Sequence, residues 1–235
     1  LPDPLPSSLQ KLDCYNNKLT SLLDTLPSSL QKLDCHYNKL TSLSNTLPNS
    51  LHYLDCSVNQ LTSLPDTLPS SLQKLNCMSN KLTSLPDPLP SSLQKLNCYN
   101  NKLTSLPDTL PSSLHELSCS SNKLTSLPNT LPSFLQKLNC SSNKLTSLPN
   151  SIIQCINLHS IRYFNNEIEY IPPHLTRLLN RVKNIDVNSV SIYNDGQNVH
   201  NHQIQESIRN SIYNVLSDKP SIFIDKITTE IINST

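Results

Sequence analysis

Glycine occurs once in the 235 residues, as Gly196, and tryptophan not at all. One glycine is too few for the glycine-rich loops whose backbone N–H groups close around a phosphate. No apolar run reaches the ~18 residues that a membrane-spanning helix requires. Charge of either sign is also in short supply: 18 Lys and Arg against 17 Asp and Glu leave a net charge of +1. So small an imbalance exerts no long-range pull on nucleic acid or on an acidic membrane, and neither is expected as a partner. No basic stretch followed by an apolar core opens the chain. It starts inside a pattern, Leu1-Pro2-Asp3-Pro4-Leu5-Pro6-Ser7-Ser8, so a further natural segment is expected ahead of Leu1.

What is abundant is regular. Cys14, Cys35, Cys56, Cys77, Cys98, Cys119 and Cys140 lie 21 residues apart, each inside Leu-x-x-Leu-x-Cys-x-x-Asn-x-Leu-x-x-Leu. A period of this size marks a solenoid, whose units are too small to bury an apolar face alone and stack on their neighbours. After a partial unit at 1–8, whole units begin at Leu9, Leu30, Leu51, Leu72, Leu93, Leu114 and, slightly longer, Leu135. An eighth from Leu158 keeps Ile161, Tyr163, Asn166, Ile168 and Ile171 in the same slots, and Val182–Val187 repeats only the strand portion. The predicted organisation is therefore a solenoid over 9–187, eight repeats and a ninth strand, followed by 188–235.

Within a unit, Leu-Gln-Lys-Leu-Asp-Cys ends in the alternation of a strand with one buried face. Leu12 and Cys14 point inward; Lys11, Asp13 and Tyr15 point outward. Strands repeated with a return path between them stack parallel. The return path, Leu-Thr-Ser-Leu-Pro-Asp-Thr-Leu-Pro-Ser-Ser, carries two prolines four apart, which predicts extended, polyproline-like backbone in place of a helix.

These motifs resemble the leucine-rich repeat family, and the short unit with its Leu-Pro-x-x-Leu-Pro connector is similar to the bacterial effector subclass. The resemblance covers 9 to about 187 and implies a curved solenoid, a horseshoe or arc with parallel strands on the concave face and an extended convex side. Asn17, Asn38, Asn59, Asn80, Asn101, Asn122, Asn143 and Asn166 form the single asparagine ladder expected of it. Stacked amides can satisfy backbone groups where the chain leaves the strand.

Eight cysteines could suggest disulfides or metal. Neighbouring parallel strands lie ~4.8 Å apart, but side chains running side by side cannot close their Cβ atoms to the ~3.8 Å of a bridge. No C-x-x-C pair offers a zinc site. The thiols are read as small core residues, which suits a reducing compartment and predicts a cytoplasmic location, host cytosol or virion included. His200 and His202 are the one compact histidine pair, and on a helix they point apart. No metal, cofactor or catalytic residue is predicted. Some effectors with similar repeats carry a ligase domain whose nucleophilic cysteine is followed two residues on by aspartate. Here the last cysteine, Cys155, is followed by Asn157, and too little chain remains for such a domain.

The outward positions form columns that vary far more than the core slots. One holds Lys11, Lys32, Tyr53, Lys74, Lys95, Glu116, Lys137 and Ser160; the next holds Asp13, Asp34, Asp55, Asn76, Asn97, Ser118, Asn139 and Arg162. The third holds Tyr15, His36, Ser57, Met78, Tyr99, Ser120, Ser141 and Phe164. Aromatic and Met side chains in a polar field are the usual anchors of a protein interface, so Tyr15, His36, Tyr37, Tyr53, Met78 and Tyr99 lead the predicted contact set. The lysine column invites phosphate, yet the Asp column offsets it in the first three units.

Beyond Val187 the composition turns to Ile, Asn and Ser. Gln203–Leu216 and the stretch from Pro220 each carry an apolar stripe at helical spacing, which predicts a C-terminal helical cap over 188–235. The segment Ile192–Asn201 is similar to tails on leucine-rich repeat proteins of giant amoeba-infecting viruses. The reading is a monomeric, non-enzymatic scaffold binding a protein, such as a host factor, through its concave face. Two alternatives remain open: a ubiquitin-ligase adaptor or truncated ligase effector, and a structural repeat protein with no specific ligand.

Overall fold

The computed structural model describes residues 3–182. Eight three-residue strands, β1 (Lys11–Asp13), β2 (Lys32–Asp34), β3 (Tyr53–Asp55), β4 (Lys74–Asn76), β5 (Lys95–Asn97), β6 (Glu116–Ser118), β7 (Lys137–Asn139) and β8 (Ser160–Arg162), form one parallel sheet in chain order. Each strand pairs with the next one unit on, Leu12 beside Leu33, Leu33 beside Leu54, and so to Leu138 beside Ile161. The pairing outruns the strands: Cys35 N donates to Asp55 O (2.8 Å) and Gln31 N to Gln10 O (2.8 Å). The fold is the predicted solenoid with its strands on the concave face.

The repeat builds the core directly. In the second unit Leu30, Leu33, Cys35, Leu40, Leu43 and Leu47 are all buried, and the same slots are buried down the stack, except that Leu68 and Leu110 in the Leu47 slot are only partly so. Removing a buried leucine side chain from such packing costs about 2–5 kcal/mol. All seven cysteines of the column, and Cys155, are free and buried.

A corner follows each strand. The residue two after the cysteine, or after Tyr163 in the eighth unit, turns left-handed, with φ between 51° and 54° from Asn16 to Asn165, although none of these residues is glycine. The next residue is the recurring asparagine. Asn59 Nδ2 donates to Cys35 O, Cys56 O and Ser57 O (each 3.1 Å), while its Oδ1 accepts from Leu40 N (2.9 Å). One side chain thus satisfies groups on two successive units.

The return path is extended and closes in a turn where the leucine N–H that opens a unit bonds to a proline carbonyl, as Leu30 N to Pro27 O (3.0 Å). The residue just before that leucine forms a serine column absent from the sequence reading. Ser50 Oγ bonds to both Ser28 O and Leu30 O (2.7 Å each), and Ser29, Ser71, Ser92 and Ser113 repeat it.

Two connectors depart from the expected extended path. The longer seventh unit folds a 3₁₀ turn, Asn150–Gln154, burying Ile152. The eighth forms helix α1, Pro173–Arg181. Pro172 and Pro173 resemble a polyproline segment, but a proline in the first turn of a helix loses no hydrogen bond. Leu175 and Leu179 then bury the helix on the apolar core of the stack. The ninth strand beyond Val182, the helical cap at 188–235 and the His200–His202 pair lie outside the described residues.

Candidate functional site

The register brings the outward columns into line across the sheet: Lys11, Lys32, Tyr53, Lys74, Lys95, Glu116, Lys137 and Ser160 are successive Cα partners, as are Asp13 through Arg162. From Tyr53 to Arg162 this face bounds an open hollow of about 570 Å³. In a three-residue strand the middle side chain points into the core and the two flanking ones point to the opposite face, which puts both outer columns on the side of the hollow.

At the first three rungs the face is aromatic and acidic. Tyr15 stacks on His36, ring centroids 4.8 Å apart and planes within 2°, and His36 meets Tyr37 edge-on at 5.6 Å. Tyr15 and Tyr37 are 52% and 58% exposed, and tyrosine is among the residues that most often anchor a contact. Tyr37 is not on the strand face itself; it occupies the left-handed corner slot of its unit. Lys32 bonds to Asp13 at 2.9 Å and lies 5.4 Å from the Tyr53 ring centroid, and the Asp13 bond raises its ammonium pKa. Burial, with Asp55 and Asp34 adding to it, pushes the Tyr53 phenol up to about 12.

Asp34, His36 and Asp55 offer ligand atoms within 4.8 Å of one another. They already satisfy each other and their neighbours. Asp34 contacts His36 Nδ1; Asp55 accepts from Ser57 N and Oγ, Asn76 Nδ2 and Tyr53 OH. A carboxylate that accepts four bonds is held without an ion.

From β4 to β7 the aspartates give way to Asn76, Asn97, Ser118 and Asn139, and β8 has Arg162 in that slot. Glu116 bridges Lys95 (2.8 Å) and Lys137 (3.3 Å). Burial opposes its ionisation, but those two bonds outweigh it and hold the carboxyl below its ordinary range. Lys74 and Arg162 are exposed at either side of this pair, Met78 is half-buried with its sulfur 3.5 Å from Asn97 Nδ2, and Phe164 is half-buried past β8. Tyr99 stands 38% exposed.

The third column differs from expectation at three serines. Ser57, Ser120 and Ser141 are buried, as are Asp34 and Asp55 of the second column. A serine there is short enough to fold back on its own strand, as Ser141 Oγ does on Asn139 Oδ1 (2.8 Å). Only the large residues of that column reach the surface. Cys155 is buried, its Sγ 3.3 Å from Pro132 O, and burial pushes its thiol up to about 11. Such a thiol is not a nucleophile at neutral pH.

The Leucine Rich Repeat family model matches residues 92–112 and 134–155. YopM, a leucine-rich effector protein from Yersinia pestis, is similar at 36% identity over 72% of this chain and 47% of its own, with a TM-score of 0.67. A Shigella effector leucine-rich repeat domain is similar at 33% identity over 74% of this chain and 75% of its own, TM-score 0.61. A chain of the Drosophila Toll–Spatzle complex is similar at 26% identity over 68% of this chain and 24% of its own, TM-score 0.56. Comparison with curated proteins finds no match. The chain thus spans about half the length of the Yersinia pestis protein. The stacked strands, the buried leucine slots and the similarity to the Shigella domain together make this chain a member of the leucine-rich repeat family, with repeats of the bacterial-effector kind.

Proposed function

We propose that the chain is a non-enzymatic scaffold that binds a protein partner on its concave strand face. The observation that carries this reading is the contrast between the two faces of each strand. The inward slots repeat almost without change, while the outward ones range over Lys, Tyr, Glu, Asp, Asn, Met and Phe in strict register around an open hollow. A purely structural stack needs only the first. The similarity to effector domains and to a chain solved in complex with a protein ligand supports the same reading. Exposed Tyr15 and Tyr99 with half-buried Tyr53 are the proposed anchors, flanked by His36, Tyr37, Met78, Lys11, Lys32, Arg162 and Phe164. The partner is taken to be a host factor met in a reducing compartment, where the buried thiols stay free.

Capture of partners from host lysate on the 235-residue chain, compared with the Y15A/Y53A/Y99A variant, tests this directly. Losing interface aromatics from the centre of a contact weakens binding about tenfold or more. Full retention of every captured protein by the variant overturns the concave-face reading.

A further inference from the structure

The charges of the strand face are sorted along the solenoid. Over β1–β3 the first two outward columns hold Lys11 and Lys32 against Asp13, Asp34 and Asp55; over β4–β8 they hold Lys74, Lys95, Lys137 and Arg162 against Glu116 alone. The change comes from one slot, where Asp13, Asp34 and Asp55 are followed by Asn76, Asn97, Ser118 and Asn139. Both kinds of residue sit in the same register on the same backbone, so folding does not demand the switch. It removes negative charge where the hollow opens and leaves three amides and a hydroxyl in its place.

We propose that the β4–β8 half of this face receives an acidic polypeptide segment whose carboxylates seat among Lys74, Lys95, Lys137 and Arg162. This rests on the concave-face reading and specifies its ligand. Glu116 shows the recognition chemistry in place: its one carboxylate engages two lysines from the flanking rungs at 2.8 and 3.3 Å. Lys74 stands one rung outside that pair, exposed and with no carboxylate opposite it among the described residues. Rungs repeat every ~4.8 Å, close to the ~5.4 Å pitch of a helix. Acidic residues on one face of a helix laid across the strands therefore meet Lys74 and Lys95 on successive rungs and, past the Glu116 rung, Lys137. A nucleic-acid strand fits less well. Single-stranded binding grooves add aromatic platforms to positive charge, whereas among the described residues Tyr53 is the one aromatic lining the hollow, which has Glu116 at its middle.

The test uses the full chain and a labelled helical peptide of about four turns carrying glutamates along one face, with the glutamine version as control. The native chain is expected to bind the glutamate peptide, to ignore the glutamine one, and to weaken as salt is raised. K74E/K95E/K137E weakens binding about tenfold or more, and the milder K74Q/K95Q/K137Q, which keeps the rungs free of new like-charge contacts, about fivefold. K81E/K102E/K123E, which makes the same change of net charge at exposed turn lysines off this face, stays within about twofold of native. E116Q frees both its lysines and strengthens binding about threefold. Failure of the native chain to bind, equal binding of the glutamine peptide, equal loss in the turn-lysine variant, or tighter binding of a single-stranded oligonucleotide of equal charge overturns the proposal. If the tyrosine variant loses its captured partners while these lysine variants keep them, the acidic-segment inference fails and the concave-face reading stands.

Discussion

Where each strand ends, one residue must turn left-handed and the next must satisfy carbonyls left by two rungs. Val58 and Asn59 meet those demands with opposite suitability. A β-branched residue at φ 51° strains against its own backbone, and the same slot holds Asn at Asn16, Asn100 and Asn165. V58N is expected to stabilise the chain by about 0.5–1 kcal/mol, read as a higher urea midpoint at unchanged slope. N59A acts the other way. It strips Cys35 O, Cys56 O and Ser57 O of a donor and Leu40 N of its acceptor, and buried groups left unpaired cost about 1–3 kcal/mol each. A loss of about 3 kcal/mol or more in the same measurement is expected; a loss under about 1 kcal/mol would make the asparagine a mere turn residue. The asparagine column was plain in the sequence because the same letter recurs at a fixed interval. The left-handed slot was not, since Asn16, Tyr37, Val58 and Ser79 share no side-chain chemistry and no glycine marks them. For the same reason Tyr37 reads as a face residue until its backbone is seen.

Elements were legible in proportion to how closely they repeat. All eight strands, their parallel order and their register follow from one alternating hexapeptide. Helix α1 did not stand out because Pro172-Pro173 imitates the connectors that precede it, though Leu175, Leu178 and Leu179 carry a helical stripe. The serine column was visible as letters but not as structure, since its two acceptors lie a whole unit away. That column breaks after Ser113, at Phe134 and again at Asn157. Phe134 occupies the slot held by Ser29, Ser50, Ser71, Ser92 and Ser113, and stands 57% exposed. By the geometry of Ser113, whose Oγ reaches Ser91 O and Leu93 O at 2.7 Å, a serine at 134 would bond to Ser112 O and Leu114 O. F134S should therefore raise stability by about 1 kcal/mol, and S92A should lower it by a similar amount. Thermal melts of the two variants check both signs; a destabilised F134S would mean the ring packs usefully where it lies.

Across the whole molecule the cysteine column behaves as a unit with a pH limit. Burial pushes Cys98 and Cys140 up to about 12, and Cys56, Cys77 and Cys119 well above the ordinary 9.0. A thiol whose pKa is raised by folding gives its full stabilisation below the unfolded value. It loses that contribution as pH climbs from about 9 toward the folded value, because the unfolded chain sheds the proton first. Each such thiol removes about 1 kcal/mol between pH 9 and 10, approaching about 1.4 kcal/mol per pH unit above that, so the five together would take about 5 kcal/mol over that unit. That is comparable to the total stability of an ordinary domain. The urea midpoint is therefore expected to be flat up to about pH 8.5 and to collapse by about pH 10. C98A/C140A, though less stable at neutral pH for the lost packing, should show a slope shallower by about 2.7 kcal/mol per pH unit. Below that window a thiol reagent should leave the folded chain unlabelled at the six cysteines of the column from Cys35 to Cys140, with Cys14 at the first rung reacting first. A midpoint that stays level through pH 10 would mean that the column opens to water as it ionises, and with it that the rungs are not held in one continuous dry core.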